Sequence, residues 1–208
     1  MSESKEAAPE LAAVEVHGMS RGSFLLRGAL ATGAALGTGG VGGFVSGALA
    51  KSGGGDVEIV NFALTLEYLE AAFYKKALGL GLKSETMAFA KEFGTDESQH
   101  VEALTGTVRM LGGKPAPMPK FSFPISDEAG FLKLAQTLED TGVSAYNGAA
   151  PSIKNADVLA AAGGIVQIEG RHAGIIRLLN GADPAPVAFD PTKTQSQVLA
   201  AVKPLIKA

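Results

Sequence analysis

The chain has 208 residues, of which 46% are hydrophobic and 19% charged, and its net charge is −3. That weak acidity, with no basic run interleaved with aromatics, argues against a nucleic-acid partner. No cysteine is present, which excludes disulfides, thiolate metal sites, iron–sulfur clusters and cysteine nucleophiles, so any metal must be held by carboxylate and imidazole.

Residues 1–50 read as an export signal. A polar stretch containing Ser20-Arg21-Gly22-Ser23-Phe24-Leu25-Leu26 precedes an uncharged Ala- and Gly-rich run from Ala29 to Ala50. The run ends Ala48-Leu49-Ala50, an A-x-A cleavage signature. The layout resembles a twin-arginine signal, but Gly22 stands where the second arginine belongs and Leu26 where the lysine belongs. Cleavage near Ala50 is favoured over a membrane anchor across residues 24–50 because the run is so rich in glycine. The expected location is therefore periplasmic or otherwise extracytoplasmic. Residues 51–56 form a flexible spacer and residues 57–208 one domain. About 158 residues remain after cleavage, enough to bury a real core.

Four segments then show helical periodicity. The first runs from about Val57 to Leu78, with Val60, Leu64, Glu67, Ala71 and Tyr74 on one stripe. The second, about Glu85 to Leu111, aligns Ala90, Phe93, Glu97, His100, Leu104 and Leu111. The third, about Asp127 to Tyr146, aligns Phe131, Ala135, Glu139, Gly142 and Tyr146. The fourth, about Ala156 to Leu179, aligns Val158, Ala162, Ile165, Glu169, His172, Ile176 and Leu179. Spacings of three and four make the seam of a helical bundle. Each stripe carries a carboxylate where the core should be, which is costly unless it is paired or bound to a metal.

Gly79 to Lys83 and Pro151 to Lys154 read as short helix–helix turns. Between them Gly112 to Ser126 holds Pro115, Pro117, Pro119 and Pro124 and cannot be helix. Its roughly 15 residues span up to about 50 Å when extended. A helix of about 25 residues is only about 37 Å long. The expected fold is thus all-α, with two antiparallel hairpins joined by a long crossover. A short amphipathic helix over about Ser196 to Ile206 follows. Gly163, Gly164, Gly170 and Gly174 in the fourth segment each weaken the helix, and are expected to let helices approach closely around the site.

Two E-x-x-H pairs occur, Glu97 with His100 and Glu169 with His172, and i, i+3 spacing puts both members on one helix face. His17 lies in the signal, so both histidines of the mature chain belong to such pairs. Glu67 precedes Glu97 by 30 residues and Glu139 precedes Glu169 by 30; Tyr74 and Tyr146 each follow their glutamate by seven. An offset of 72 maps every member of one set onto the other. The midpoint of Glu67 and Glu97 is Leu82, and that of Glu139 and Glu169 is Lys154, both inside expected turns. Each set therefore lies at one height along its hairpin, and all six groups can converge.

The stretches Asn61 to Tyr74, Asp96 to His100, Leu138 to Gly142 and Glu169 to His172 resemble the ferritin-like superfamily, in particular exported ferritin-like domain proteins that include the desiccation-related group. The resemblance covers Val57 to about Asn180 and implies a ferritin-like four-helix bundle. It also implies that Glu97 and Glu169 bridge two metals and carry the catalysis. Glu67 with His100 would complete one metal, and Glu139 with His172 the other. Tyr74 and Tyr146 are read either as hydrogen-bond donors to ligand carboxylates, or in radical transfer, or as core tyrosines. Glu70, one turn beyond Glu67, is a possible extra ligand, with exposure or a salt bridge favoured. Gln99, Glu102 and Arg171 are read as face residues.

Oxygen and imidazole ligation with open positions suits two iron or manganese ions better than zinc or calcium. The expected chemistry is redox work on peroxide or dioxygen, of catalase, peroxidase or ferroxidase type, with peroxide, dioxygen or Fe²⁺ as substrate. A metal-binding or stress-protective protein without turnover is the alternative, and iron storage is a weaker one. A homo-oligomer is compatible with all three.

Overall fold

The structure, a computed structural model, describes residues 55–207. The expected export signal, its cleavage point and residues 51–54 of the spacer lie outside the described residues. No helix among the described residues is long and apolar enough to cross a membrane.

Helix α1 (Asp56–Ala77) carries Asp56 and Glu58 in its first turn and Lys75 and Lys76 in its last, charges that complement the helix dipole. Helix α2 (Ser84–Met110) follows the Gly79–Lys83 turn. Helix α3 (Glu128–Ala149) starts at Asp127, whose side chain accepts a hydrogen bond from the Gly130 amide at 2.8 Å. It runs three residues past Tyr146, where the stripe was expected to end. A 3₁₀ turn, Ala150–Ser152, leads into α4 (Ala156–Leu179). Asn155 caps α4 by accepting from the amides of Asp157 and Val158.

The main helix contacts are α1 with α2 and α3 with α4, the two expected hairpins. Polar ties join them. Both carboxylate oxygens of Asp56 accept amide hydrogen bonds from the α3–α4 turn, from Lys154 at 2.9 Å and Asn155 at 2.7 Å. The α3–α4 turn therefore sits at the start of α1, opposite the α1–α2 turn. Asn61 anchors the start of the crossover, donating to the Lys114 carbonyl and accepting from the Ala116 amide. At its far end Glu128 pairs with Lys83 in the α1–α2 turn at 3.1 Å. The Pro-rich connection thus runs the length of the bundle.

Helix α5 (Gln195–Val202) opens with a capping box between Thr194 and Gln197. The expected helix to Ile206 ends early, because Pro204 has no amide to continue it and a 3₁₀ turn, Lys203–Leu205, takes over. Ile206–Lys207 then forms a strand, β2, antiparallel to β1 (Lys120–Phe121) in the crossover, with Phe121 opposite Ile206.

Two apolar clusters fill the ends of the bundle. One packs Phe73, Phe93, Phe131 and Ile176 and extends under α5. The other packs Val60, Leu64, Leu104, Val108 and Val158 at the opposite end. The α4 glycines do not act as expected. A Cβ at Gly163, Gly164 or Gly170 would meet nothing within 4 Å, and at Gly174 only an ordinary 3.5 Å contact with the Pro184 carbonyl. Close approaches lie elsewhere: a Cβ at Gly94 of α2 would lie 3.0 Å from Tyr74 Cβ, and one at Gly148 of α3 would lie 2.0 Å from the Lys193 carbonyl oxygen.

Candidate metal centre

Between the two apolar clusters the bundle buries an acidic layer. Glu67 of α1, Glu97 of α2, Glu139 of α3 and Glu169 of α4 are each fully buried. His100 and His172 join them, one from each E-x-x-H pair, and are also buried. The structure brings all six sequence-derived residues into one chamber. One ligand atom from each of Glu67, Glu97, His100 and Glu169 falls within 4.8 Å of the others. The same holds for Glu97, Glu139 and His172. Glu97 belongs to both groups, so it stands between them.

The imidazoles bind the layer together. His100 Nδ1 lies 3.1 Å from Glu67 Oε2, 3.1 Å from Glu97 Oε2 and 3.3 Å from Glu169 Oε1. His172 Nδ1 lies 3.0 Å from Glu97 Oε1 and 3.5 Å from Glu139 Oε2. Burial pulls the His100 imidazole down, but the carboxylates of Glu169, Glu67 and Glu97 outweigh it and carry it up to about 12. His172 behaves alike, with burial overcome by Glu139 and Glu97, and reaches about 11. Glu67 is pushed up to about 8, chiefly by burial and against the pull of His100. Burial, then the neighbouring carboxylates, raise Glu169 well above the usual range. Glu139 is also raised, first by burial. In Glu97 burial is outweighed by the His100 and His172 imidazoles close beside it, which bring it down to about 2. Protons therefore hold the layer together when no cation does.

That arrangement leaves atoms unsatisfied. Glu97 Oε1, Glu139 Oε2, both oxygens of Glu169 and His172 Nδ1 are buried without a hydrogen-bond partner. His172 Nδ1 and Glu97 Oε1 are 3.0 Å apart yet not aligned to bond each other. Ligand atoms that face a common point, rather than one another, have this geometry. Five buried orphans in one chamber are too many for a settled polar core, and a donor set of carboxylate and imidazole suits a hard or borderline divalent cation. The residues present fit a pair of such ions.

Tyr74 and Tyr146 both reach the layer, but across the hairpins. Tyr74 Oη donates to Glu139 Oε1, and Tyr146 Oη donates to Glu67 Oε1. Two turns separate each tyrosine from the glutamate of its own helix, about 10 Å. Helices α1 and α3 run in opposite directions, and Cβ atoms tilt toward each helix's own N-terminus. Tyr74 and Glu139 therefore lean toward one another, as do Tyr146 and Glu67.

Two features escaped the sequence reading. Asp96 Oδ2 lies 3.2 Å from His172 Nε2 and steadies the ring so that Nδ1 faces the chamber. Phe93 stacks on the same ring with centroids 3.9 Å apart. The 72-residue repeat places Ile168 opposite Asp96 and Ile165 opposite Phe93, a break in the repeat that could have flagged both. Glu70, read as a possible extra ligand with exposure or a salt bridge favoured, is buried, pairs with no cationic side chain among the described residues and keeps Oε2 without a hydrogen-bond partner. Gln99, Glu102 and Arg171 are exposed, as read.

The remaining feature is Gly142, on the α3 stripe. A Cβ there would lie 2.6 Å from Glu169 Oε2 and 3.2 Å from Glu70 Oε1. Glycine makes room for two carboxylates. Gly142→Ala is expected to shift those flexible carboxylate ends rather than the helix. Thermal unfolding of the metal-free protein should move by no more than about 1 kcal/mol. Cation affinity, read by calorimetric titration, should fall by about 10–100-fold.

Fold and site together define a four-helix carboxylate–histidine bundle in which two hairpins each contribute Glu and E-x-x-H. The family model described as ferritin-like domain matches residues 55–182, more than half the chain, and the protein belongs to that family. A crystal structure of a conserved hypothetical protein from Mycobacterium tuberculosis is similar, with a TM-score of 0.56 at 17% identity. The match covers 63% of this chain and 94% of that one, and at this identity it concerns the fold alone. No curated protein matches the chain.

Proposed function

We propose that this protein is a dinuclear iron or manganese carboxylate protein that acts on peroxide or dioxygen, with Glu67, Glu97, His100, Glu139, Glu169 and His172 as ligands. The observation that carries the reading is the set of buried ligand atoms converging on one chamber from four helices, five of them without a hydrogen-bond partner. Bound as a pair, such ions supply the electrons for converting peroxide or dioxygen.

The chain's own residues prepare the place. Glu97, and Glu169 opposite it, would supply carboxylates to both positions. Tyr74 and Tyr146 hold Glu139 and Glu67 in orientation through hydrogen bonds from the opposite hairpin. Asp96, 3.2 Å from His172 Nε2, would hold the ring with Nδ1 left for the metal. The four central glutamates are wholly sealed, and the His100 side chain is only 10% exposed, which argues against a large organic substrate. With no cysteine the chain has no thiolate-bound electron donor of its own. Disproportionation of peroxide needs none, which favours catalase-like turnover. Export, and membership of the desiccation-related group, are part of the same reading and rest on the signal-like residues 1–50 and on the stretches around Glu67 and Glu169.

Elemental analysis of protein purified from its native host is expected to give two iron or manganese ions per chain. The loaded protein is expected to consume peroxide without an added reductant. Two metals without peroxide or Fe²⁺ turnover would leave a binding protein, and absence of both metals would remove the reading.

A further inference from the structure

The 72-residue repeat pairs Glu70 with Gly142, so one hairpin carries a carboxylate where the other carries no side chain. The two meet in the chamber, with Glu70 Oε1 over the bare Gly142 backbone. One ligand atom from each of Glu70, Glu139 and Glu169 lies within 4.8 Å of the others. Glu139 is also in the group with Glu97 and His172, and Glu169 in the group with Glu67, Glu97 and His100, while Glu70 itself is in neither of those groups. Glu70 is 3% exposed and its Oε2 has no hydrogen-bond partner, a costly state for a carboxyl that serves only as core.

We propose that Glu70 is a seventh ligand of the centre, set between Glu139 and Glu169 and without a counterpart on the other hairpin, so that the two metal positions are unequal. This rests on the dinuclear reading above and refines it. A second break in the repeat also separates the two positions. Asp96 stands behind His172, and its counterpart Ile168 is apolar, so only the His172 position gains a carboxylate behind its imidazole. Neither departure is matched in the other half of the repeat, so the negative charge around the two positions differs. The position with more of it binds a divalent cation more tightly and fills first.

Full-length protein stripped with a chelator is titrated with Mn²⁺, followed by calorimetry and by the EPR signal of bound Mn²⁺. Two steps of unequal affinity are expected. Glu70→Gln, which keeps the shape and removes the charge, is expected to weaken the tighter step by about 10–100-fold. The weaker step stays within about threefold. Should that variant not fold, Glu70→Asp keeps the charge, withdraws the carboxyl by one methylene, and is expected to weaken the same step. Two Mn²⁺ bound equally well by Glu70→Gln would overturn the role of Glu70 and leave the six-ligand centre standing. A third Mn²⁺ per chain, lost in Glu70→Gln, would also overturn it, since Glu70 would then own a separate site. No Mn²⁺ bound by the unaltered protein would defeat the dinuclear reading itself.

Discussion

Glu97→Ala is expected to abolish stoichiometric metal binding while leaving the helical fold. Glu97 is the residue common to both imidazole-bearing ligand groups, and it stands 3.1 Å from His100 and 3.0 Å from His172. Its loss removes one ligand from each cation position at once. In the proposed dinuclear centre both cations would share the ligands' negative charge, so loss of one position would weaken the other. His172→Ala strips the other end, taking the only imidazole from the group of Glu97 and Glu139. Each change is expected to lower affinity by at least about 100-fold. The apolar clusters at the two ends of the bundle are untouched, so the far-ultraviolet circular dichroism of both variants should match the parent. Two metals per chain still bound by either variant, measured by elemental analysis, would refute the ligand assignment.

Without metal, the protein should become less stable as the pH rises, and metal should reverse that trend. Glu67 has its folded pKa raised from 4.5 to about 8. Its contribution is therefore fully present below about 4.5 and is lost as pH climbs through 8. His100 and His172 are raised from 6.5 to about 12 and about 11, so their contribution is intact below about 6.5 and drains away above it. Glu97 runs the other way: lowered to about 2, it stabilises above 4.5 and loses that effect as pH falls toward 2. The metal-free protein should therefore be most stable near pH 5. Each titrating group removes up to about 1.4 kcal/mol per pH unit within its window. Cations bind the deprotonated ligands, so binding expels the imidazolium protons. Two protons released correspond to about a 100-fold gain in overall association constant per pH unit. Melting temperatures with and without Mn²⁺, measured from pH 5 to 8.5, should therefore diverge. A metal-free melting temperature that rises steadily over that range would contradict the proton-held layer.

The helices, their directions and the heights of the six site residues could be read from the chain because they depend on local periodicity. A stripe at spacings of three and four shows which side of a helix turns inward. The distance of Glu67 and Glu97 from Leu82, and of Glu139 and Glu169 from Lys154, places each pair at one level in an antiparallel hairpin. Four prolines between Gly112 and Ser126 rule out helix there, and the remaining length suffices for a crossover. None of this requires knowing how the hairpins pack.

Contacts between hairpins could not be read that way. Tyr74 bonds Glu139 and Tyr146 bonds Glu67 because the helices are antiparallel and the side chains lean in opposite directions, a consequence of packing rather than of spacing. Glu70 looks like a surface residue on α1 until Gly142 of α3 is brought against it. The α4 glycines looked structural, yet open space surrounds three of them, because close approach is decided by the neighbouring helix and not by the glycine. Pairing of Ile206 with Phe121 likewise joins residues far apart in the chain, which no local pattern announces. Helical period and turn position are properties of a few consecutive residues and can be written in their order. Which side chain meets which across the bundle depends on the summed packing of all four helices, and appears only once they are assembled.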